Sequence, residues 1–206
     1  MQYSIHPSIA YVSSIIRNLK TTSGLSLGEW HALIRKEKLV DPKQIKEFLN
    51  QYKELGASKK SIVIDSYLEE KKPFMVSESY LQNAPIFVEK MLFAKPNLKP
   101  LFDHIISLAI GHFPEAKICP CETIVPVYRT HVIAQLKPAT KDRLELGFAL
   151  KKFKGKISDE LVSTGGLEKG DRITHKLNCH PNFKNDSLIL KWMELSYTLD
   201  DGNDSK

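Results

Sequence analysis

The sequence predicts an α+β protein in which a small helical bundle is followed by a helix-flanked antiparallel sheet domain. Apolar residues recur at helical spacing over residues 7–70. The apolar period changes to two over residues 131–150, as in strands with one buried face. Helical spacing returns after residue 185. We place a helical domain with its linker at 1–82, an α+β domain at 83–200 and a disordered tail at 201–206.

The composition is that of a soluble globular protein. Of the 206 residues, 42% are hydrophobic and 26% are charged, which is enough apolar material for a core. The net charge of +6 is spread evenly along the chain, so there is no basic tail that would bind nucleic acid by charge alone. No apolar run approaches the roughly 18 residues that cross a bilayer, and the first residues do not resemble a signal peptide. An odd number of cysteines, three, also fits a reducing compartment, and we expect a cytoplasmic protein.

Helix start signals mark the amino-terminal elements in order. Pro7 suits a first helical turn, where its missing N–H would have no partner. Ser26 and Glu29 match a capping box, in which each side chain bonds to the other residue's backbone N–H. Asp41 precedes a third helix, and Ser58 is predicted to cap a fourth that runs to about residue 70.

The third and fourth helices have the spacing of a helix-turn-helix motif. The turn Leu55–Ala57 contains a glycine, and Lys59 and Lys60 follow at the start of the next helix. DNA contact is one interpretation. However, Asp65, Glu69 and Glu70 on the same helix would repel phosphates. That helix also has no Arg, Asn or Gln to read base edges. A helical bundle with solvated lysines is therefore the favoured interpretation.

Helices are also predicted at both ends of the α+β domain. Residues 71–83 are expected to form a linker, followed by a short helix at Ala84–Phe93 and an amphipathic helix at 98–109. The Asn-Asp pair at 185–186 is expected to cap the last helix, and a polar tail is predicted from Asp200 onward. The residues of the last helix predicted to face inward are Leu188, Ile189, Trp192, Leu195 and Leu199.

Residues 131–150 predict a β-hairpin whose loop is 138–142. Because opposite residues of a hairpin share a face, the apolar pattern also predicts a register. On the buried face, the predicted pairs are Leu136 with Leu144, Ala134 with Leu146, and Val132 with Phe148. On the polar face, they are Lys137 with Arg143, Gln135 with Glu145, Ile133 with Gly147, and His131 with Ala149.

The polar face of this hairpin is a candidate ligand-binding surface. Its polar side chains are His131, Gln135, Lys137, Arg143 and Glu145. Gly147 has no side chain there, so a ligand could approach the backbone closely. The alternative is an ordinary solvated face on which Glu145 screens the basic residues. A later strand is expected to send Arg172, Thr174 and Lys176 to the polar side. Ile173, Leu177 and a hydrogen-bonded His175 are expected to face the core.

Two loops near this surface have unusual amino-acid compositions. Thr164–Gly166 and Gly170 shape a turn of the kind that glycine adopts easily. The other loop is rich in lysine, and we favour solvated side chains over a phosphate clamp. Its lysines are Lys151, Lys152, Lys154 and Lys156.

The stretch Cys119–His131 brings several reactive residue types together. Arg129 and His131 are candidate charge-assisted donors to an anion, with Tyr128 as a stacking or hydrogen-bonding partner. An alternative is thiol or acyl chemistry at Cys119 or Cys121, with His131 as the base.

The same two cysteines also suggest a metal site. Zinc would need further ligands to complete a tetrahedral set. The candidates are His131, His175, Cys179 and His180. The C-x-C spacing lacks the second spaced pair that characterises zinc motifs, and we predict neither a metal nor a cofactor.

Two sets of motifs carry a family resemblance. The first comprises His6–Val12 and Ser26–Trp30, and the second comprises Cys119–Val132, Thr164–Gly166 and Asp171–His175. With these motifs the chain resembles a bacterial family of uncharacterised two-domain proteins, whose carboxy-terminal domain has been labelled a predicted transport protein. The resemblance implies an architecture and no mechanism. The carboxy-terminal domain is also similar to double-wing domains, some of which bind DNA.

The sequence therefore favours a non-catalytic binding module for an anionic small molecule or a nucleic acid, with no membrane partner. The alternatives are a thiol-dependent enzyme using Cys119 or Cys121 with His131, and a structural zinc site. The candidate ligand-binding residues are Tyr128, Arg129, His131, Gln135, Lys137, Arg143 and Arg172.

Overall fold

The computed structural model describes residues 3–68 and 74–200, and within them the chain forms two compact units. The first unit is Ile5–Asn83, and the second contains the described residues 3–4 and 84–200. The first is helical, and the second contains an antiparallel sheet with flanking helices. This architecture confirms the predicted α+β class.

The first unit is a bundle of helices around an apolar core. The helices are α1 (Pro7–Ser23), α2 (Leu27–Lys36), α3 (Pro42–Asn50) and α4 (Ala57–Leu68). The buried residues of the core are Leu19, Trp30, Ile34, Ile45, Leu49, Leu55 and Val63. The buried indole of Trp30 donates its N–H to Ser23 Oγ at 3.1 Å, so this polar atom has a partner inside the core.

Local capping residues start three of these helices as predicted. Pro7 occupies the first turn of α1. Ser26 and Glu29 form the capping box of α2, with both reciprocal bonds present. The Asp41 side chain accepts hydrogen bonds from two backbone N–H groups at the start of α3. Such caps depend on residues only two or three positions apart, which is why they can be predicted locally.

The start of α4 differs from the prediction. The helix begins at Ala57 and contains Ser58, which was expected to be its cap. The first turn closes one residue earlier because the Gly56 carbonyl accepts a hydrogen bond from the Lys60 N–H at 3.1 Å. The predicted end near residue 70 lies outside the described residues.

The predicted linker at 71–83 is wrong from Ser77 onward. Residues 71–73 lie outside the described part of the chain, whereas Ser77–Phe93 forms one continuous helix, α5. Pro85 lies inside this helix and removes one backbone donor. The helix nevertheless continues, since apolar residues on both sides of the proline, including Tyr80 and Val88, are buried.

The second unit contains a six-stranded sheet, counted over the described residues, in the order β1-β2-β3-β4-β6-β5 with every neighbouring pair antiparallel. Its strands are β1 (Lys117–Ile118), β2 (Val125–Tyr128), β3 (Val132–Pro138), β4 (Leu144–Phe148), β5 (Val162–Ser163) and β6 (His175–Cys179). Its further helices are α6 (Lys99–His112), α7 (Gly166–Lys169) and α8 (Asp186–Leu199). A 3-10 turn at Pro96–Leu98 precedes α6.

One face of the sheet is covered by helices and the other is polar. Helix α8 packs on β3 and β4, and α6 packs on α8. The buried core includes Phe102 of α6, Leu136 of β3, Leu146 of β4 and Trp192 of α8. The side chains of the polar face therefore do not contribute to this core, and they remain available for other contacts.

From Ala134 onward the hairpin of β3 and β4 has the predicted faces, but its register differs. The sheet pairs Leu136 with Leu146 and Gln135 with Gly147, which shifts the predicted pairing by two residues. Pro138 remains in the strand opposite Leu144, and the loop is 139–143. These faces are preserved because side chains alternate along a strand with a period of two. At the start of β3 the predicted faces are exchanged: Ile133 is buried in the core, and Val132 is partly buried and lines a cavity on the polar face. The alternation breaks there because the pairing of β2 with β3 skips Ile133.

The predicted alternation of polar and core-facing side chains, which starts at Arg172, does not hold in the residues before β6. Thr174, expected on the polar side, is only 1% exposed. Ile173, expected in the core, places its Cγ2 atom 2.6 Å from the position that a Cβ on Gly147 would occupy, on the polar face. Regular pairing starts at His175, which is half-buried and hydrogen-bonded to the Thr174 hydroxyl at 3.0 Å.

Helix α8 is capped as predicted, and all five of its residues predicted to face inward belong to the core or pack against it. The Asn185 side chain accepts a hydrogen bond from the Leu188 N–H at 3.0 Å. Met193 and Ser196 are buried, whereas Leu195 and Leu199 are only partly buried.

Among the described residues, no helix is both long enough and apolar enough to span a bilayer.

Replacing Gly147 by alanine tests the packing of Ile173 on the polar face. The added Cβ would meet Ile173 Cγ2 at 2.6 Å, so we expect a destabilisation of ~1–3 kcal/mol from overpacking. The measurement is a urea titration in which the NMR amide signals of β4 and β6 report unfolding.

Gly111 in α6 is the matched control, since a Cβ there meets no atom within 4 Å. Gly111→Ala should leave stability unchanged or raise it by ~0.5–1 kcal/mol through the better helix propensity of alanine. Equal effects of the two substitutions would contradict the packing of Ile173 on Gly147.

Candidate functional site

The two cysteines of the predicted Cys119–His131 site are shielded from water. Cys119 is buried, and Cys121 is partly buried. Burial raises the pKa of the Cys119 thiol to about 12, and burial also raises the pKa of the Cys121 thiol to about 11. Both groups therefore carry a proton near neutral pH, which opposes a role as nucleophiles.

The proposed metal ligands do not converge. Over residues 3–68 and 74–200, no group of three or more His, Cys, Asp or Glu side chains is placed to hold a metal ion. Cys179 is buried in β6. His180 donates its Nδ1–H to the carbonyl of Asp142 at 3.0 Å, and His131 is bonded to Asp200.

Asp200 accepts three hydrogen bonds from the turn between β2 and β3. Its Oδ1 lies 2.8 Å from His131 Nδ1, and its Oδ2 accepts from the backbone N–H groups of Thr130 and His131 at 2.9 and 2.8 Å. Burial disfavours the charged carboxylate, but the bonds from His131 and Thr130 outweigh it and lower the pKa of Asp200. Asp200 was expected in the polar tail, and this expectation is wrong because its side chain is buried at the end of α8.

Arg129 contributes to the same junction. Its Nε donates to Glu115 at 2.9 Å, and its Nη1 donates to the backbone carbonyls of Tyr197 and Asp200 at 3.1 and 3.2 Å. The guanidinium also lies 4.3 Å from the centre of the Tyr197 ring. The pairing of β2 with β3 has a register shift at Val127/Tyr128, just before Arg129. Arg129 thus joins the end of α8 to the sheet.

Tyr128 lies beside the two cysteines. Burial raises the pKa of its hydroxyl, and the neighbouring thiolate charges of Cys121 and Cys119 would raise it further. Of the predicted set, Tyr128, Arg129 and His131 do not line the two cavities that contain Arg172.

The polar face of the sheet forms one side of a cavity of about 600 Å³, which we call the first lobe. Its walls come from β3, β4, β6 and the segment before β6. Three predicted residues, Gln135, Lys137 and Arg172, line it. The other lining residues are Val132, Glu145, Gly147, Ser163, Thr164, Asp171, Ile173 and Lys176.

Glu145 organises the charges of the first lobe. Its Oε1 lies 2.8 Å from Lys176 Nζ and 3.5 Å from Arg143 Nη2, and only 15% of its side chain is exposed. Arg143, a predicted ligand-binding residue, is thus held against Glu145 and does not line the lobe. Asn178 lies opposite Glu145 in β6, and its buried Oδ1 has no hydrogen-bond partner in the described part of the protein.

A second lobe of about 750 Å³ adjoins the first, because Arg172 and Val132 line both; together they form the cleft. Its walls are the loop after β4, the end of α8 and the residues around Arg172. Its other lining residues are Ala149, Lys151, Lys152, Lys154, Gly170, Ser196, Leu199 and Asp200. Lys151 donates to the Gly170 carbonyl at 3.0 Å, which ties the lysine loop to this wall.

The glycine-rich turn positions the segment that carries Arg172. Gly165 and Gly170 have φ values of +71° and +77°, which favour glycine. A Cβ on Gly166 would lie 2.4 Å from the Ile173 carbonyl, so only glycine fits there. The turn that the sequence indicates therefore brings Asp171 and Arg172 to the cleft.

Sequence reasoning missed several residues of the cleft. Lys176 was placed on the polar side without a role, and the lysine loop was interpreted as solvated. Ser196 gave no signal, because one serine in an amphipathic helix is an ordinary polar position. The sequence signals that pointed to these residues were the lysine-rich segment 151–156 and the glycines that precede Arg172.

One family model matches the domain that contains the cleft. It is described as a Domain of unknown function (DUF5655), and the match covers residues 89–200, more than half of the chain. The chain belongs to this family. The family domain includes both lobes, the junction at Asp200 and the cysteine segment. The predicted membership of an uncharacterised domain family is thus confirmed for this part. No curated protein and no solved structure matches the chain significantly.

Asp200→Asn tests the junction between α8 and the sheet. Loss of the charged acceptor should destabilise the protein by ~1–3 kcal/mol at pH 7, measured by urea unfolding. The folded-state pKa of Asp200 lies below its ordinary value of 3.8. The stability that it contributes is therefore complete above that value and is lost as pH falls through the folded-state pKa.

Asp103→Asn is the matched control, since Asp103 forms an exposed ion pair with Lys99 in α6. Its effect should be ~0–0.5 kcal/mol. If both variants unfold alike at every pH, the junction at Asp200 does not have the stabilising role described.

The thiol pKa values predict slow cysteine chemistry. At pH 7, Cys119, Cys121 and Cys179 in the folded protein should react with iodoacetamide more slowly than the same cysteines in urea, because all three thiols have raised pKa values. Peptide mass spectrometry gives the rate at each site. One thiol that reacts faster in the folded protein than in urea would revive the enzyme alternative.

Proposed function

We propose that this protein is a non-catalytic, cytoplasmic binding module that holds an anionic ligand in the cleft. The main support is Arg172, which lines both lobes and can therefore contact one ligand across the whole cleft. A guanidinium suits this role since its planar set of donors matches carboxylate and phosphate groups.

The dimensions of the cleft support a small ligand. Lobes of about 600 and 750 Å³ lie within the range of ~300–1,000 Å³ that small-molecule pockets occupy. The lining combines charged and polar side chains with apolar ones, namely Val132, Ala149, Ile173 and Leu199. Such a lining suits a ligand that has both hydrogen-bonding and apolar groups.

The charges of the cleft favour an anion. The cationic lining residues are Lys137, Lys151, Lys152, Lys154, Arg172 and Lys176. The carboxylates are Glu145, Asp171 and Asp200. Glu145 is paired with Lys176, and both oxygens of Asp200 accept hydrogen bonds from the β2–β3 turn. After these interactions are taken into account, the net charge of the cleft lining is therefore positive.

Two further observations favour binding over thiol chemistry. Cys119 and Cys121 do not line the cleft, and burial raises the pKa values of both thiols.

The three free cysteines fit a reducing compartment, which is the basis for a cytoplasmic location. The bacterial origin is part of this proposal and comes from the sequence resemblance.

Arg172→Gln tests the proposal. Wild-type protein is screened at ~0.05 M salt by calorimetry against nucleotides, sugar phosphates, polycarboxylates and short DNA and RNA. For any anion that binds, loss of the guanidinium should weaken affinity ~10–100-fold through a lost charge-assisted hydrogen bond. Binding should also weaken as salt rises.

Lys156→Gln is the control, because Lys156 lies in the lysine loop but lines a separate depression with Phe153 and Trp192. It should leave affinity within ~2-fold of wild type. Failure of every anion class to bind at low salt, or binding that Arg172→Gln does not affect, would contradict the proposal.

A further inference from the structure

Ser196 is a buried hydroxyl in the wall of the second lobe. The residue is 1% exposed, and its Oγ has no hydrogen-bond partner in the described part of the protein. A buried polar atom without a partner is unfavourable and calls for an explanation. A serine inside a helix commonly bonds to the carbonyl four residues earlier, but this one does not.

The other donors of the second lobe surround the same space as Ser196. Lys151, Lys152, Lys154 and Arg172 line it. Among the described residues, Asp200 is the carboxylate that lines this lobe, and its two oxygens already accept hydrogen bonds from Thr130 and His131. The second lobe therefore offers several cationic donors and one neutral hydroxyl donor to a single group.

From this arrangement we infer that the second lobe is a subsite for the terminal phosphate of a phosphate monoester, with Ser196 Oγ as one of its donors; the inference rests on the proposed function. A monoester carries close to two negative charges at neutral pH, since its second pKa is about 6, and it presents three strong acceptor oxygens. Multiple cationic donors and a hydroxyl match that number of acceptors.

The burial of Ser196 selects a terminal group over a polymer. A group that reaches a side chain only 1% exposed must project from its molecule. A terminal phosphate projects, whereas a phosphodiester inside a nucleic acid is flanked by sugars on both sides. The ligand is therefore a small phosphorylated molecule.

The first lobe suits the rest of such a molecule. Its carboxylates Glu145 and Asp171 oppose the positive charges there, so its field is weaker than that of the second lobe. Gln135 and Ser163 supply uncharged hydrogen-bonding side chains. A polar, uncharged body such as a sugar fits this lining, and Arg172 would contact the ligand where the two lobes meet.

Methyl phosphate and dimethyl phosphate are matched probes for this subsite, since they differ by one methyl group and by the second negative charge. Their binding is followed by ³¹P NMR line broadening at low salt. Methyl phosphate should bind, and dimethyl phosphate should bind at least ~10-fold more weakly. Equal binding of the two would overturn the phosphate-monoester subsite.

Ser196→Ala separates recognition from folding. Removal of the hydroxyl should weaken methyl phosphate ~3–10-fold, while Tm stays unchanged or rises because a buried donor without a partner has been removed. The double variant Lys152→Gln/Lys154→Gln changes only exposed side chains and should weaken methyl phosphate ~10-fold or more. Lys156→Gln should have no effect.

The outcomes distinguish this inference from the proposed function. If anions bind and Arg172→Gln weakens them, but Ser196→Ala and the double lysine variant do not, the phosphate subsite is wrong and the proposed function stands. If no anion binds to wild-type protein, both fail. If a short oligonucleotide binds more tightly than any monoester and Ser196→Ala leaves that binding unchanged, the ligand is a nucleic acid and the subsite is wrong.

Discussion

The cleft depends on the buried carboxylate of Asp200, which joins the end of α8 to the turn between β2 and β3. Three hydrogen bonds from Thr130 and His131 hold this carboxylate, and Arg129 bonds to the backbone of the same helix end. Ser196 lies about one helical turn earlier on α8. The position of α8 against the sheet thus sets the wall of the second lobe.

The first lobe depends on a different constraint, the absence of a side chain at Gly147. Ile173 packs where a Cβ of that residue would lie, which brings the chain before β6 down onto the sheet. Arg172 is next to Ile173 and lines both lobes. Glu145 then neutralises Lys176 nearby, so the positive charge is concentrated in the second lobe. The packing of Ile173 on Gly147 and the ion pair of Glu145 with Lys176 therefore shape the same part of the sheet.

The features that could be predicted from the sequence are local ones. The capping box of Ser26 and Glu29 involves neighbours in the chain, and the faces of the hairpin from Ala134 onward follow from a period of two. The register was missed because Pro138 was interpreted as a loop residue, although it pairs at the end of β3. The hydrogen bonds of Asp200 and the place of Ser196 in the wall of the second lobe depend on residues distant in sequence, which no local pattern indicates.

Amide chemical-shift mapping during a titration with inorganic phosphate tests most directly whether this cleft is the anion-binding surface. We expect the largest shifts at residues 149–154, at 170–173 and near Ser196, which form the walls of the second lobe and its boundary with the first. The lysines of α3 and α4 and the segment 119–128 should show little change. Shifts concentrated in either of those regions, with none in the cleft, would contradict the assignment.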